Sequence, residues 1–163
     1  IAEHRGGLLS RKSQMSLAQW GADCAEHVAH LLDQAGTRDE RPGQAILSAR
    51  EWASGRIRPG EARKAAIAAH AAARECPDKA ARSAARSAAH AAATAHMGDH
   101  ALGAAAYARL AVRLACDAPA CSKAHADERS WQIAWDGAST RVIERMADGS
   151  SSYISPRKGQ LCW

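Results

Sequence analysis

Residues 81–110 decide the fold, because they read ARSAARSAAHAAATAHMGDHALGAAAYARL and contain almost no residue that favours a strand. Alanine supplies 41 of the 163 residues of the chain, Phe is absent, and Val and Thr occur three times each. A β-sheet needs β-branched and aromatic side chains on its faces, whereas Ala, Leu, Arg, Glu and Gln favour the helix. We therefore predict an all-α protein, a compact bundle of about five to six antiparallel helices with an alanine-rich core.

Apolar residues that recur every three or four positions, together with Pro, Gly and Asp at the expected ends, set the helix bounds. The predicted helices span Ser16 to Ala35, Pro42 to Ser54, Pro59 to Cys76, Asp78 to His96, Asp99 to Ala115 and Ser122 to Trp135. A single long bent helix from Asp78 to Ala115 is the alternative to the break at Gly98. Outside the helical domain, predicted over residues 16–136, we expect a flexible leader over 1–15 and a disordered tail over 137–163, which is rich in Ser and Gly.

The net charge of +5 and the pI near 9.2 raise the question of an acidic partner. The basic residues are dispersed and form no run of like charges, which disfavours a nucleic-acid partner and fits the joint enrichment of Ala and Arg in GC-rich genomes. No stretch reaches the roughly 18 apolar residues that a membrane span needs. The five Cys residues show no disulfide framework, so we predict a protein of the reducing cytoplasm that does not bind membranes.

Four histidines, His70, His90, His96 and His100, fall in the alanine-rich part of the chain. His96 and His100 stand four positions apart, a spacing that would suit two zinc-type ligands on one continuous helix, but the predicted break at Gly98 weakens this hypothesis. The simpler interpretation, which we favour, is polar side chains satisfied at a tight turn. We expect no cofactor, with a divalent metal as the minor alternative.

Basic side chains follow one face of each of two predicted helices. They are Arg63, His70 and Arg74 on the third helix, and Arg82, Arg86 and His90 on the fourth. If the two faces met, they would form a cationic groove for a carboxylate or a phosphate, since guanidinium groups bind both bidentately. A solvated charged face is the more common outcome for such a pattern.

Two further features have a structural and a functional interpretation. Asp39 and Arg41 precede a helix, where capping or cross-linking is the default role and binding the alternative. Trp20 and Trp52 are predicted to fill the core, while for Trp131 and Trp135 a core position and a binding anchor are equally favoured. The motifs HExxH, GxGxxG, GxSxG and CxxC and the Walker-type loop are all absent, so the sequence indicates no catalytic residue.

Several stretches in order resemble a bacterial immunity protein family that is associated with polymorphic toxin systems. They are LAQWGADCAEHV (17–28), DERPGQAILSAREWASGRI (39–57), EARKAAIAAHAAARE (61–75), ARSAAHAAATAHMGDHALGAAAYARLAV (85–112) and ERSWQ (128–132). The resemblance covers residues 16–132, implies an all-helical cytoplasmic protein, and departs from the family pattern after Asp136. The matching polar positions are Asp39, Arg41, His70, Arg74, His90, His96, His100 and Tyr107.

From the resemblance and the basic faces we expect a non-catalytic protein that binds a cognate toxin and neutralises it by occlusion. The alternative is a helical enzyme or sensor that holds a metal or a small ligand through its histidines.

Overall fold

The computed structural model describes residues 7–116 and 119–135 of the chain. Its helices are α1 (Arg11–His27), α2 (His30–Gln34), α3 (Arg41–Ala53), α4 (Pro59–Glu75), α5 (Lys79–Ala93), α6 (His100–Ala115) and α7 (Ala120–Ile133). The short α2 lies within the first predicted helix, so the other six helices correspond to the six predicted ones. The predicted all-α class is confirmed, and none of the described helices is both long and apolar enough to cross a membrane.

Helix α5 forms the centre of the bundle. It contacts α1, α2, α3, α4 and α6, and eleven of its 15 residues are buried. Those eleven are nine alanines and two serines, so neighbouring backbones can approach α5 from almost every side. Each alanine buries little apolar area, and close helix contact over the whole length of α5 is therefore what builds the core.

Gly21 shows how close this approach is. A Cβ atom on Gly21 would lie 3.5 Å from the Cβ of Ala104 and 3.6 Å from the Cα of Ala91. The α1 backbone thus packs directly on α5 and α6, with room for one methyl group and nothing larger. Large side chains enter the core at only a few places, among them Trp20 and Trp52, each 3% exposed, as the sequence predicted.

The start of α1 corrects the predicted flexible leader. The helix begins at Arg11, because Ser10 is the N-cap and its Oγ accepts a hydrogen bond from the backbone N–H of Ser13 at 3.1 Å. Ser16, at which we predicted the helix to start, lies inside the helix and donates its hydroxyl to the carbonyl of Lys12. The leader prediction is therefore wrong for residues 11–15.

Gln14 gives the physical reason why this extra turn is ordered. Its side chain is buried, and its Nε2 donates to the carbonyl of Thr94 at 2.8 Å and to that of Ala95 at 3.3 Å. These carbonyls follow the last turn of α5, where backbone acceptors have no partner within the helix. The first turn of α1 thus caps the central helix.

The break between α5 and α6 is confirmed, which excludes the single bent helix. Asp78 begins α5 as predicted, since its carboxylate accepts from the N–H of Ala81 at 2.7 Å. Asp99 occupies the N-cap position of α6, but its side chain makes no capping hydrogen bond. The last helix starts at Ala120 and ends at Ile133, two residues earlier at each end than predicted. The predicted tail over 137–163 lies outside the described residues.

Candidate functional site

The four histidines of the sequence pattern meet on one side of α5. The ring centroids of His70 on α4 and His90 on α5 are 5.2 Å apart, and those of His90 and His100 are 5.1 Å apart. His96, in the α5–α6 connection, lies 5.0 Å from His100 by the same measure, and the ring of Tyr107 on α6 stacks on His90 at 5.2 Å. We call these four imidazoles and Tyr107 the histidine cluster.

The ring of His90 packs against α6 at a glycine, Gly103. A Cβ atom on Gly103 would lie 2.6 Å from Nδ1 of His90 and 3.0 Å from its Cγ, well inside contact distance. Glycine at this position therefore lets the imidazole lie directly against the α6 backbone. There the Nδ1 atoms of His90 and His100 are 3.1 Å apart, so one ring donates a hydrogen bond to the other.

Burial keeps three of these imidazoles neutral. It lowers the pKa of His90 to about 3, with further repulsion from His100, His70 and Arg86. It also lowers the pKa of His100, and that of His70, where the guanidinium groups of Arg74 and Arg86 add to the effect. At neutral pH the cluster therefore offers uncharged imidazoles that can donate or accept hydrogen bonds.

Two arginines border the cluster and carry its positive charge. The guanidinium carbon of Arg86 lies 5.6 Å from the centre of the Tyr107 ring, within the range of a cation–π contact. Arg74 is exposed on α4, close enough to His70 to lower its pKa. No carboxylate of the described residues forms an ion pair with either arginine. The surface therefore combines a net positive charge with aromatic rings.

The predicted cationic groove is only partly formed. The structure brings together four of the six residues of the two basic helix faces, namely His70, Arg74, Arg86 and His90. Arg63 is exposed on α4, and no contact among the described residues places it at the cluster. The side chain of Arg82 instead donates to the backbone carbonyls of Cys76 and Pro77 beyond the end of α4. Instead of a fully basic groove, the structure has a smaller basic rim, which consists of Arg74 and Arg86.

The described residues contain no group of three or more His, Cys, Asp or Glu side chains that could hold a metal ion. The histidine rings are in contact, but a zinc-type site requires ring nitrogens that converge on one point. The hypothesis that His96 and His100 ligate a metal therefore has ring proximity in its favour, but not a completed ligand set.

Asp39 and Arg41 form a cross-link between helices. The carboxylate of Asp39 accepts from the backbone N–H of Arg41 at 3.0 Å and from its guanidinium group at 2.6 to 3.0 Å. Arg41 also pairs with Glu75 at the end of α4. The hydrogen bond from Arg41 lowers the pKa of the Asp39 carboxyl. This geometry fits the structural role that we treated as the default.

A second surface lies where side chains of α7 and of the residues after it meet α1, and it contains Trp131 and Trp135, for which the sequence left a core position and a binding anchor equally open. Nδ1 of His27 is 2.7 Å from the carboxylate of Glu128, and the ring of Trp131 stacks on His27 with centroids 4.0 Å apart. The indole N–H of Trp135 donates to Asp23 at 2.8 Å. A pocket of about 320 Å³ opens here, lined by Asp23, Glu26, His27, Trp131 and Trp135. The available signal was spacing, since Asp23, Glu26 and His27 share one face of α1.

Comparison with known proteins identifies a matching family. The family model described as "Imm-5 like putative immunity protein" matches residues 7–136, which include every described helix and the histidine cluster. Curated proteins and solved structures give no significant match. Because the matched range spans most of the chain, this all-α protein with its cluster of neutral histidines belongs to the Imm-5 like immunity protein family.

Proposed function

We propose that the chain binds a cognate toxin in the bacterial cytoplasm and neutralises it by occlusion, without catalysis. Membership in an immunity protein family supports the immunity role. The polymorphic toxin system and the mode of inhibition are the further steps of the proposal. Occlusion is the simplest mechanism for such a protein, because a standard interface of about 800 Å² on each partner is enough to cover an active-site cleft.

The histidine cluster and its basic rim are the surface that we assign to this contact. The observation that carries the assignment is the Arg86–Tyr107 contact, in which the guanidinium group stays without a carboxylate partner among the described side chains. An unpaired guanidinium over an aromatic ring suits a carboxylate or phosphate group of a partner. Arginine and tyrosine are also among the residues that are enriched at binding hot spots.

Charge reversal tests the assignment. The partner is first captured by crosslinking in the host bacterium and then expressed alone in a second bacterium, where a toxin stops growth. The wild-type chain should restore growth, and the double variant Arg74→Glu with Arg86→Glu should bind the partner at least ~100-fold more weakly, since buried charge pairs contribute several kcal/mol. Helical circular dichroism must stay unchanged in the variant.

The matched control reverses two exposed arginines away from the cluster, Arg56→Glu and Arg129→Glu, and changes the net charge by the same amount. It should protect the cell as the wild type does. Equal protection by both double variants would remove the cluster from the interface, and a captured partner that leaves growth unaffected would refute the toxin-binding function.

Binding of a small ligand or a metal is the second candidate, and the neutral imidazoles in mutual contact favour it, because metals bind the unprotonated ring. Native mass spectrometry with added zinc tests it. One tightly held zinc ion, lost in the variants His96→Ala and His100→Ala, would favour a metal-binding enzyme or sensor over the occlusion mechanism.

A further inference from the structure

The pocket between α1 and α7 lies apart from the histidine cluster and has the opposite chemistry. Its lining combines two indole rings with the carboxylates of Asp23 and Glu26. The proposed contact at the cluster makes no use of it. Its volume of about 320 Å³ is at the lower end for ligand sites, and it is large enough for one long side chain.

We propose that this pocket receives a basic side chain, arginine or lysine, from a partner protein. Two kinds of group attract such a cation. The indole rings offer negatively polarised faces, with the strongest cation–π attraction of any side chain, and the carboxylates supply the charge. Trp131 is 37% exposed on the outer side of α7, where a protein partner can reach it.

The charges around the pocket favour a cation after internal pairing is counted. Arg50 of α3 binds both Asp23 and Glu26, so one guanidinium faces two carboxylates. Behind the pocket wall, Glu128 is 2% exposed at its side chain and faces His27. Asp23, Glu26 and Arg50 together therefore keep a net charge of −1 next to the pocket, while the guanidinium group of Arg109 offsets the charge of the buried Glu128.

The carboxylate of Glu26 is the free attachment point. Only its Oε2 is engaged by a described residue, Arg50, and its side chain is 56% exposed. The other oxygen can accept a second guanidinium or an ammonium group. Arg50 already shows that this pair of carboxylates holds a guanidinium group, and the partner side chain would approach from the side of the two indoles.

The rigidity of the site supports a binding role over a merely exposed aromatic patch. The ring of Trp131 is held by its stack on His27, with an angle of 5° between the planes, and Trp135 is held by its hydrogen bond to Asp23. Rings that are fixed before binding lose little conformational entropy on contact, as hot-spot tryptophans do.

The test is a titration of the full-length chain with N-acetyl-arginine methylamide, followed by NMR through the indole N–H resonances. The neutral citrulline derivative is the control probe, because it has nearly the same shape without the charge. We expect saturable shifts of Trp131 and Trp135 with a millimolar dissociation constant, and none of Trp20 and Trp52 in the core. The citrulline derivative should bind at least ~10-fold more weakly.

Two variants separate the two attractions. Glu26→Gln removes charge from an exposed position, and Trp131→Leu removes the ring; each should weaken binding by at least ~5-fold. Ile133→Ala is the matched control, since Ile133 is 43% exposed on the same helix and does not line the pocket. It should leave the affinity unchanged.

Equal binding of the arginine and citrulline derivatives, or unchanged affinity in both Glu26→Gln and Trp131→Leu, would overturn the proposal. Tighter binding of tetramethylammonium than of the arginine derivative would also overturn it, by assigning the pocket to a small organic cation. These titrations use no toxin, so their failure leaves the proposed function at the histidine cluster intact.

Discussion

Replacing Gly103 by alanine tests whether the histidine cluster is a packed unit. The new methyl group would lie 2.6 Å from Nδ1 of His90 and 3.0 Å from its Cγ, so the imidazole has to move. It cannot move freely, because it contacts the rings of His70, His100 and Tyr107. The substitution should therefore disturb the whole cluster and not one side chain alone.

Two opposing contributions set the size of the effect. Alanine in place of glycine within a helix stabilises by up to about 1 kcal/mol. Forcing an extra methyl group into a packed site costs about 1–3 kcal/mol. We therefore expect Gly103→Ala to lower the free energy of unfolding by about 1 kcal/mol, against the direction of helix propensity.

Urea unfolding at pH 7.5, followed by circular dichroism, measures this change. Gly60→Ala is the control, since Gly60 lies in the first turn of α4 and a Cβ there would meet nothing within 4 Å. It should stabilise by a few tenths to about 1 kcal/mol. The decisive comparison adds His90→Ala: without the imidazole, Gly103→Ala should become stabilising.

If Gly103→Ala raised the free energy of unfolding in the wild-type background, the ring of His90 would be able to move aside at little cost. The argument for a fixed arrangement of imidazoles would then fail. The same conclusion would follow if Gly103→Ala had the same effect with and without the His90 ring.

Three further changes probe other parts of the structure. Because the pKa of His90 is lowered to about 3, the unfolded chain binds more protons below its ordinary pKa, so the free energy of unfolding should fall as pH drops from about 6.5 towards 3, by up to about 1.4 kcal/mol per pH unit for this group. Urea titrations at several pH values should show a shallower slope in His90→Gln than in the wild type; equal slopes in the two chains would contradict the buried neutral ring. Gln14→Leu removes both hydrogen bonds to the end of α5 and should cost about 1–3 kcal/mol in chemical denaturation, and a loss near zero would mean that water caps α5 equally well. Ala88→Leu enlarges a fully buried residue of α5 and should lower the melting temperature, while Ala106→Leu on the exposed side of α6 should not; similar melting temperatures would argue against a tightly packed alanine core.

The fold class could be predicted because local signals and global packing agree. Alanine-rich segments with Pro and Gly at their ends allow little besides helices, and Asp78 caps α5 as its position predicts. The start of α1 was placed too late, because both Ser10 and Ser16 are suitable cap residues and the order of residues 11–15 also depends on Gln14 meeting the carbonyl of Thr94, 80 positions away. Such a contact leaves no trace in local spacing.

For the candidate sites, too, features with a local sequence signal could be predicted, whereas features that depend on contacts between distant residues could not. The meeting of His70 and His90 agrees with the hypothesis of two helical faces side by side, which the sequence raised without favouring it. Arg82 does not join them, because its guanidinium group donates to the carbonyl of Cys76. Trp131 and Trp135 were named from the sequence as possible binding anchors, but the pocket they line was not predicted, because α1 and α7 are distant in sequence. The neutral state of His90 could not be predicted either, because its lowered pKa results from burial, which the residue type alone does not reveal.

The alanine core has a consequence for how the two surfaces communicate. An alanine side chain has no rotamers to change, so a disturbance at the histidine cluster cannot pass through α5 as a chain of side-chain rearrangements. Through α5 it could reach the α1–α7 pocket only if helix backbones shifted, and the close contact of Gly21 with α5 and α6 opposes such a shift. The two surfaces should therefore bind their ligands as independent sites, each with an affinity that the occupancy of the other does not alter.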